Sequence, residues 1–210
     1  MAKMESSFKN MVLILTSITC LSGAILGGVS ELTKDAIAKS KLAKQENAIK
    51  LVAPAYDNNP IADKWEAELP DGTKAIIFPA KMNGEMVGAA VEAQTKKGFG
   101  GPISIMVGFD KDGNIKDYTV LSHAETPGLG SKMPEWFHTK GNIIGKNPAS
   151  NKLTVSKDGG EIDAITAATI SSRAFLDAVA NAYNAYTNSQ DAQSGATTQD
   201  KESDKKEEVK

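Results

Sequence analysis

The residues of this chain best suited to chemistry lie in Asp163-Ala-Ile-Thr-Ala-Ala-Thr-Ile-Ser-Ser172, where two hydroxyl residues, Thr166 and Thr169, stand just before an apolar helical stripe. Ile170, Ala174, Phe175, Ala178, Val179, Ala182, Tyr183 and Tyr186 recur at spacings of three and four, which predicts an amphipathic helix beginning at Thr169. The first amides of a helix have no intrahelical acceptor, and its dipole is positive there. An anion beside Thr169 is therefore favoured by ~0.3–1 kcal/mol at an exposed site. Phosphate is the natural guest. The plain alternative is that Thr166 or Thr169 is an ordinary helix cap.

A second segment, His123-Ala-Glu-Thr-Pro-Gly-Leu-Gly130, gathers an imidazole, a carboxylate, a hydroxyl, a fixed-φ proline and two glycines. Glycine permits close backbone approach and Pro127 fixes one dihedral, so the loop can wrap a flat ligand with oriented donors; a polar turn after a strand is the plain reading. His123 and Glu125 can form an acid–base pair. Trp136 and Phe137 follow closely and are expected in the core. His123 and His138 are the only histidines, and no spacing supports a transition-metal site, a Ser-His-Asp arrangement or a phosphate loop.

Taken together, HAETPGLG, DAITAAT and the upstream Gly98-Phe-Gly-Gly-Pro102 resemble the FMN-binding domain family. Within it the chain is similar to the G subunits of Rnf-type electron-transport complexes, relatives of the C subunits of sodium-translocating NADH:quinone reductases. The resemblance covers roughly residues 1–187. It implies that a flavin transferase joins FMN covalently, by a phosphoester bond, at a motif of the form D-x-x-[S/T]-G-A-[T/S]. On this chain Asp163, Thr166, Ala167, Ala168 and Thr169 match the recognition segment, with Thr169 as acceptor. It also implies an FMN site built from His123, Glu125, Thr126, Gly128 and Leu129, with Thr166, Ala168, Ile170 and Ser171 bordering the linkage. Leu129 would cover a flavin face, Thr126 would bond its polar edge, and Ser171 would donate to the phosphate. Ala167 departs from the family glycine; if positive φ is needed there, the cost is about 1 kcal/mol.

By the same resemblance, the chain carries electrons within a membrane complex that exchanges them between ferredoxin and NAD and moves Na+ or H+, and it is not catalytic alone. Its partners are the other members of that complex. It binds no NAD itself, having no strand-associated G-x-G-x-x-G turn. A pilin-like structural protein is the alternative of another class, because an apolar leader helix before a small α+β domain describes it too.

A second match to the motif, Asp191-Ala-Gln-Ser-Gly-Ala-Thr197, includes the glycine. No apolar periodicity follows it, and residues 188–210 are dominated by Gln, Ser, Thr, Asp, Glu and Lys, a composition that predicts a disordered tail and makes Thr197 the weaker acceptor.

These segments need elements to hold them. Met11 through Ser30 carries no charge and at 1.5 Å per residue spans ~30 Å, which predicts one transmembrane anchor rather than a removed signal peptide. Ser22, Gly23, Gly27 and Gly28 would let other membrane helices pack closely. Lysines flank the anchor on both sides and do not orient it; the resemblance places the domain on the periplasmic face of a bacterial inner membrane, with residues 1–10 cytoplasmic. Cys20, the only cysteine, lies in the anchor, so the chain forms no internal disulfide. Residues 31–60 read as a helical stalk and linker ended by Pro54 and Pro60, and 61–187 as one FMN-binding domain.

In that domain Thr73–Ala80 and Met86–Gln94 flank the hairpin signal Asn83-Gly84; Pro102–Phe109 and Ile115–Leu121 flank Asp110-Lys-Asp-Gly113. Ile103, Ile105 and Val107 alternate as a half-buried strand does. A further short strand is expected at Leu153–Ser156, before a turn at Asp158-Gly-Gly160. The class is α+β, a twisted antiparallel sheet with packed helices. With 24 basic and 26 acidic residues and a net charge of −2, the chain has no basic stripe for nucleic acid.

Overall fold

A computed structural model describes residues 8–69 and 72–207, with side chains as far as residue 190. The chain divides into two compact units, residues 1–44 and 45–210.

The first unit is the greater part of helix α1 (Phe8–Val52), and it includes the uncharged run. α1 is long and apolar enough to cross a membrane. Two hydroxyls of the uncharged run turn back onto the helix: Ser17 donates to the Leu13 carbonyl at 2.8 Å and Thr19 to the Leu15 carbonyl at 2.6 Å. Such bonding keeps polar side chains compatible with hydrocarbon.

The second unit is built on a five-stranded antiparallel meander, β1 (Trp65–Glu68), β2 (Lys74–Met82), β3 (Glu85–Thr95), β4 (Ile103–Asp110) and β5 (Ile115–Ser122), paired in sequence order. Both hairpins stand where the turn residues place them. Asn83 and Gly84 take φ of 53° and 86°, the paired positive values that match the strand twist in a two-residue hairpin. After β5 come the four-residue helix α2 (Met133–Trp136), a long irregular stretch and helix α3 (Thr169–Glu207).

The strand alternation sorts two faces. Val91, Ile105, Val107 and Phe109 meet Phe175, Ala178, Val179, Ala182 and Tyr186 of α3 in the main core. Each fully buried aromatic or large aliphatic side chain contributes roughly 1.5–3 kcal/mol. Phe109 stacks on Tyr186 with centroids 5.3 Å apart, and Phe137 stacks on Phe175 at 4.2 Å, which places Phe137 in the core as its sequence context predicts. On the opposite face Phe78, Ala90 and Met106 are covered by Ala48, Ile49 and Val52, the last turns of α1. Gly108 permits that contact: a Cβ there would stand 1.8 Å from the Val52 carbonyl oxygen. The compact unit therefore begins at Gln45, inside the segment that composition alone assigns to a stalk.

Three details differ from the sequence reading. Leu153–Ser156 forms no strand; Val155 makes a single parallel bridge to Ile162 and a 3₁₀ turn follows at Ser156–Asp158. β1 is an added edge strand. α3 is helical to Glu207, through the segment whose polarity suggests a disordered tail. Its Ala, Gln, Glu and Lys are good helix formers. Thr197 lies on that backbone, beyond the described side chains.

Candidate functional site

α3 begins at Thr169, and the loop before it is fixed residue by residue. The Ile165 N–H donates to the buried Ser172 hydroxyl oxygen at 2.9 Å, and that hydroxyl donates to the Ala168 carbonyl at 3.0 Å. Trp136 Nε1 donates to the Asp163 carbonyl at 2.8 Å. Between these anchors Ala167 takes φ of 60°, the left-handed conformation that favours glycine. On the outer side Arg173 grips Asp158 through two bonds of 2.7 and 2.8 Å, and its guanidinium holds the Asp158 carboxyl below the ordinary range.

Among the described residues, the amides of Thr169, Ile170 and Ser171 have no acceptor and the Thr169 hydroxyl has no partner. Three amides at a helix start beside an open hydroxyl form a ready anion site. They face a cleft of about 340 Å³ lined by Phe99, Glu125, Thr126, Leu129, Gly130 and residues 167–171.

The opposite walls come from two loops. Gly98–Pro102 precedes β4, and His123–Gly130 leaves β5. Glu125 joins them: its Oε1 accepts the Gly100 N–H at 3.0 Å, and its Oε2 accepts the Ser171 hydroxyl. The rim is apolar. Phe99, Leu129 and Ile170 are 69%, 39% and 50% exposed, and outside α1 they are the exposed large hydrophobic side chains of the described residues. All three line the same cleft. Ile170, part of the helical stripe in the sequence, thus faces the cleft and not the core.

Two comparisons with known proteins bear on this arrangement. The FMN-binding domain model matches residues 98–184, a span that contains all three walls. Along nearly the whole chain, the G subunit of the ion-translocating oxidoreductase complex of Vibrio atlanticus (strain LGP32) is 33% identical over 191 residues, covering 85% of this chain and 90% of the relative. The G subunits of Aliivibrio fischeri (strain MJ11), 34% identical over 85% of this chain and 90% of the relative, and of Yersinia pestis, 34% over 73% and 78%, agree. The chain belongs to the family of G subunits of ion-translocating oxidoreductase complexes.

The residues present fit the group that an FMN-binding domain takes. A flat ring system suits the Phe99, Leu129 and Ile170 rim, and a phosphate suits the three open amides at Thr169. Of the site residues expected from the sequence, Glu125, Thr126, Leu129, Ala167, Ala168, Thr169, Ile170 and Ser171 line the cleft. His123, Gly128 and Thr166 do not. His123 is exposed, and its Nδ1 accepts the Glu125 backbone N–H at 3.2 Å; Gly128, at φ 77°, donates its N–H to Ser131.

Two expectations are corrected in detail. No His123–Glu125 acid–base pair forms: the carboxyl oxygens accept from Gly100 and Ser171, and the His123 ring bonds the Glu125 backbone N–H instead. The Ser171 hydroxyl, expected to donate to a phosphate, gives its one proton to Glu125 in this structure, while the Ser171 backbone amide is open. Phe99 and Gly130 belong to the cleft without having been singled out as site residues. An aromatic side chain among three glycines was the available signal for Phe99. Asp163, Thr166 and Ala167 are exposed on the surface of the loop.

Proposed function

We propose that this chain is the membrane-anchored, electron-carrying subunit of an ion-translocating oxidoreductase complex of the Rnf type, with FMN attached covalently through a phosphoester to the Thr169 oxygen. The observation that carries the reading is the unpartnered Thr169 hydroxyl at the start of α3, among three open amides and beside an apolar-rimmed cleft. Membership of the G-subunit family supports the electron-transfer role and assembly with other members of the complex.

FMN supplies the redox chemistry, and the protein positions it and sets its surroundings. Thr169 provides the point of attachment. The amides of Thr169, Ile170 and Ser171 hold the phosphate negative charge at the helix start. Phe99, Leu129 and Ile170 exclude water from the ring faces. The exposed face of the Asp163–Ala168 loop is the surface a flavin transferase reads during maturation, with Ala167 already in the conformation that the family glycine would take.

α1 anchors the chain, with the cleft-bearing unit on the periplasmic side and ferredoxin and NAD exchanging electrons through the wider complex, coupled to movement of Na+ or H+. The relatives named above are G subunits, which favours this reading over the C subunit of a sodium-translocating NADH:quinone reductase and over a pilin.

Peptide mass spectrometry on chain purified from its native membrane tests the proposal. A gain of one FMN less water on the peptide containing Thr169 is the expected result, abolished in Thr169→Val. The same gain on the Thr197 peptide alone, or stoichiometric covalent flavin in the Thr169→Val chain, refutes the site.

A further inference from the structure

The most enclosed charge-bearing group at the cleft is the Glu125 carboxyl, 5% exposed. A carboxyl leaves water at low cost only where donors replace the solvent. Here each oxygen has one: the Gly100 amide at 3.0 Å on Oε1 and the Ser171 hydroxyl on Oε2. The three residues stand on three different walls, the glycine loop before β4, the loop after β5 and the first turn of α3. Both donors are neutral, so they solvate a negative charge without cancelling it.

Packing leaves the carboxyl no freedom. A Cβ on Gly98 would lie 2.8 Å from Oε1, and one on Gly130 would lie 2.7 Å from Oε2 and 2.4 Å from the Ser171 oxygen. Glycine at both places lets backbone close around the group from two sides. The cleft lining and the carboxyl are thus one construction: Glu125 touches the cleft, and Ser171 immediately follows Ile170, one of the apolar rim residues.

We infer that Glu125 is the positioning residue of this cleft, tying its three walls together and setting a fixed negative charge beside a bound flavin that lowers its reduction potential. The inference rests on FMN attachment at Thr169. Electrons arriving near a fixed negative charge in a partly dry site are disfavoured by Coulomb repulsion. The tie and the charge are separable by substitution. Glu125→Gln keeps the shape, an oxygen for the Gly100 amide and a donor for the Ser171 oxygen, and removes the charge. Glu125→Ala removes both.

The test uses the full chain, produced in membranes with a flavin transferase. Redox titration of the flavin absorbance is expected to give the loaded fraction of Glu125→Gln a more positive potential than wild type. Hydrogen exchange at the Gly100 amide reads the tie without any flavin: in a Thr169→Val background, adding Glu125→Ala is expected to speed exchange about tenfold or more, and Glu125→Gln much less. A loaded Glu125→Gln chain at the wild-type potential overturns the inference, as does unchanged Gly100 exchange in Glu125→Ala. So does a folded Glu125→Gln chain that keeps Gly100 protected and takes no flavin. Wild-type chain without flavin on Thr169 refutes the attachment instead, and the exchange measurement still decides whether Glu125 ties the walls.

Discussion

Replacing Ala167 by glycine should stabilise the protein, although such a change usually weakens one. At φ of 60° the Ala167 Cβ crowds its own backbone, a conformation that costs an L-residue roughly 1–2 kcal/mol. Glycine removes that cost and adds about 0.4–1 kcal/mol of unfolded-state entropy. The methyl group is exposed, so its loss opens no cavity. The net expectation is a gain of about 0.5–1 kcal/mol. Urea unfolding of the detergent-solubilised chain, followed by tryptophan fluorescence, measures it well. Both tryptophans lie in the sheet-bearing unit, and Trp136 bonds the Asp163 carbonyl of the same loop. With a denaturant slope of about 2 kcal/mol per molar, the midpoint should rise by about 0.25–0.5 M. Ala167→Val, a β-branched residue forced to positive φ, should lower it by a larger amount. An unchanged or lower midpoint in Ala167→Gly, together with a neutral Ala167→Val, refutes the claim that this position is strained.

Four further changes probe the site and its frame. Ser172→Ala leaves the Ile165 amide without its buried acceptor and should cost about 1–3 kcal/mol in the same unfolding assay, with lower flavin loading on Thr169. Gly130→Ala drives a methyl into the Ser171 and Glu125 oxygens and should cost about 1–3 kcal/mol while reducing loading, read by mass spectrometry. Burial pushes the Asp110 carboxyl up, but bonds from the Asn114 side chain, the Asn114 amide and the Asp112 amide outweigh it and hold it below 3.8. That stabilisation is complete above the unfolded value and is lost as pH falls through the lower folded one, so Asp110→Asn should flatten stability against pH in the acid limb. Tyr186, which donates to the Asp110 carbonyl at 2.8 Å, is pushed up to about 12 by burial, with Asp110 and Asp112 adding to the effect. Its contribution is intact below pH 10.0 and is lost as pH rises through about 12, so Tyr186→Phe should shrink the alkaline loss seen in a stability titration.

Much of the frame was legible because local chemistry and tertiary structure agree. Asn83-Gly84 and Asp110-Lys-Asp-Gly113 locate both hairpins, and the 3.6-residue stripe locates the start of α3 at Thr169. Where the reading fell short, the deciding contacts are remote in sequence. Trp65–Glu68 is four residues long and becomes a strand only because β2 offers an edge. Leu153–Ser156 has strand-like residues but no neighbouring strand to pair with at length. The end of α1 looks like a stalk because Lys44, Glu46 and Lys50 surround Ala48, Ile49 and Val52, and only the bare backbone of Gly108 shows what those three cover. At the cleft, residue types named most of the lining. They did not show that Glu125 is buried, since a carboxylate in a glycine-rich loop reads as solvated until donors from two distant segments close on it.

The three walls of the cleft lie far apart along the chain, and the bond that joins two of them links residues 46 positions apart. Contacts of such span form only once the meander is paired and α3 is docked, because loop closure must precede them. A nascent or misfolded chain can therefore present the letters of the acceptor motif but not the cleft behind it. If attachment at Thr169 needs both, bound flavin records folding: the yellow fraction of a preparation counts the molecules that completed the sheet, and a substitution far from Thr169 will show as lost colour in proportion to the folding it prevents.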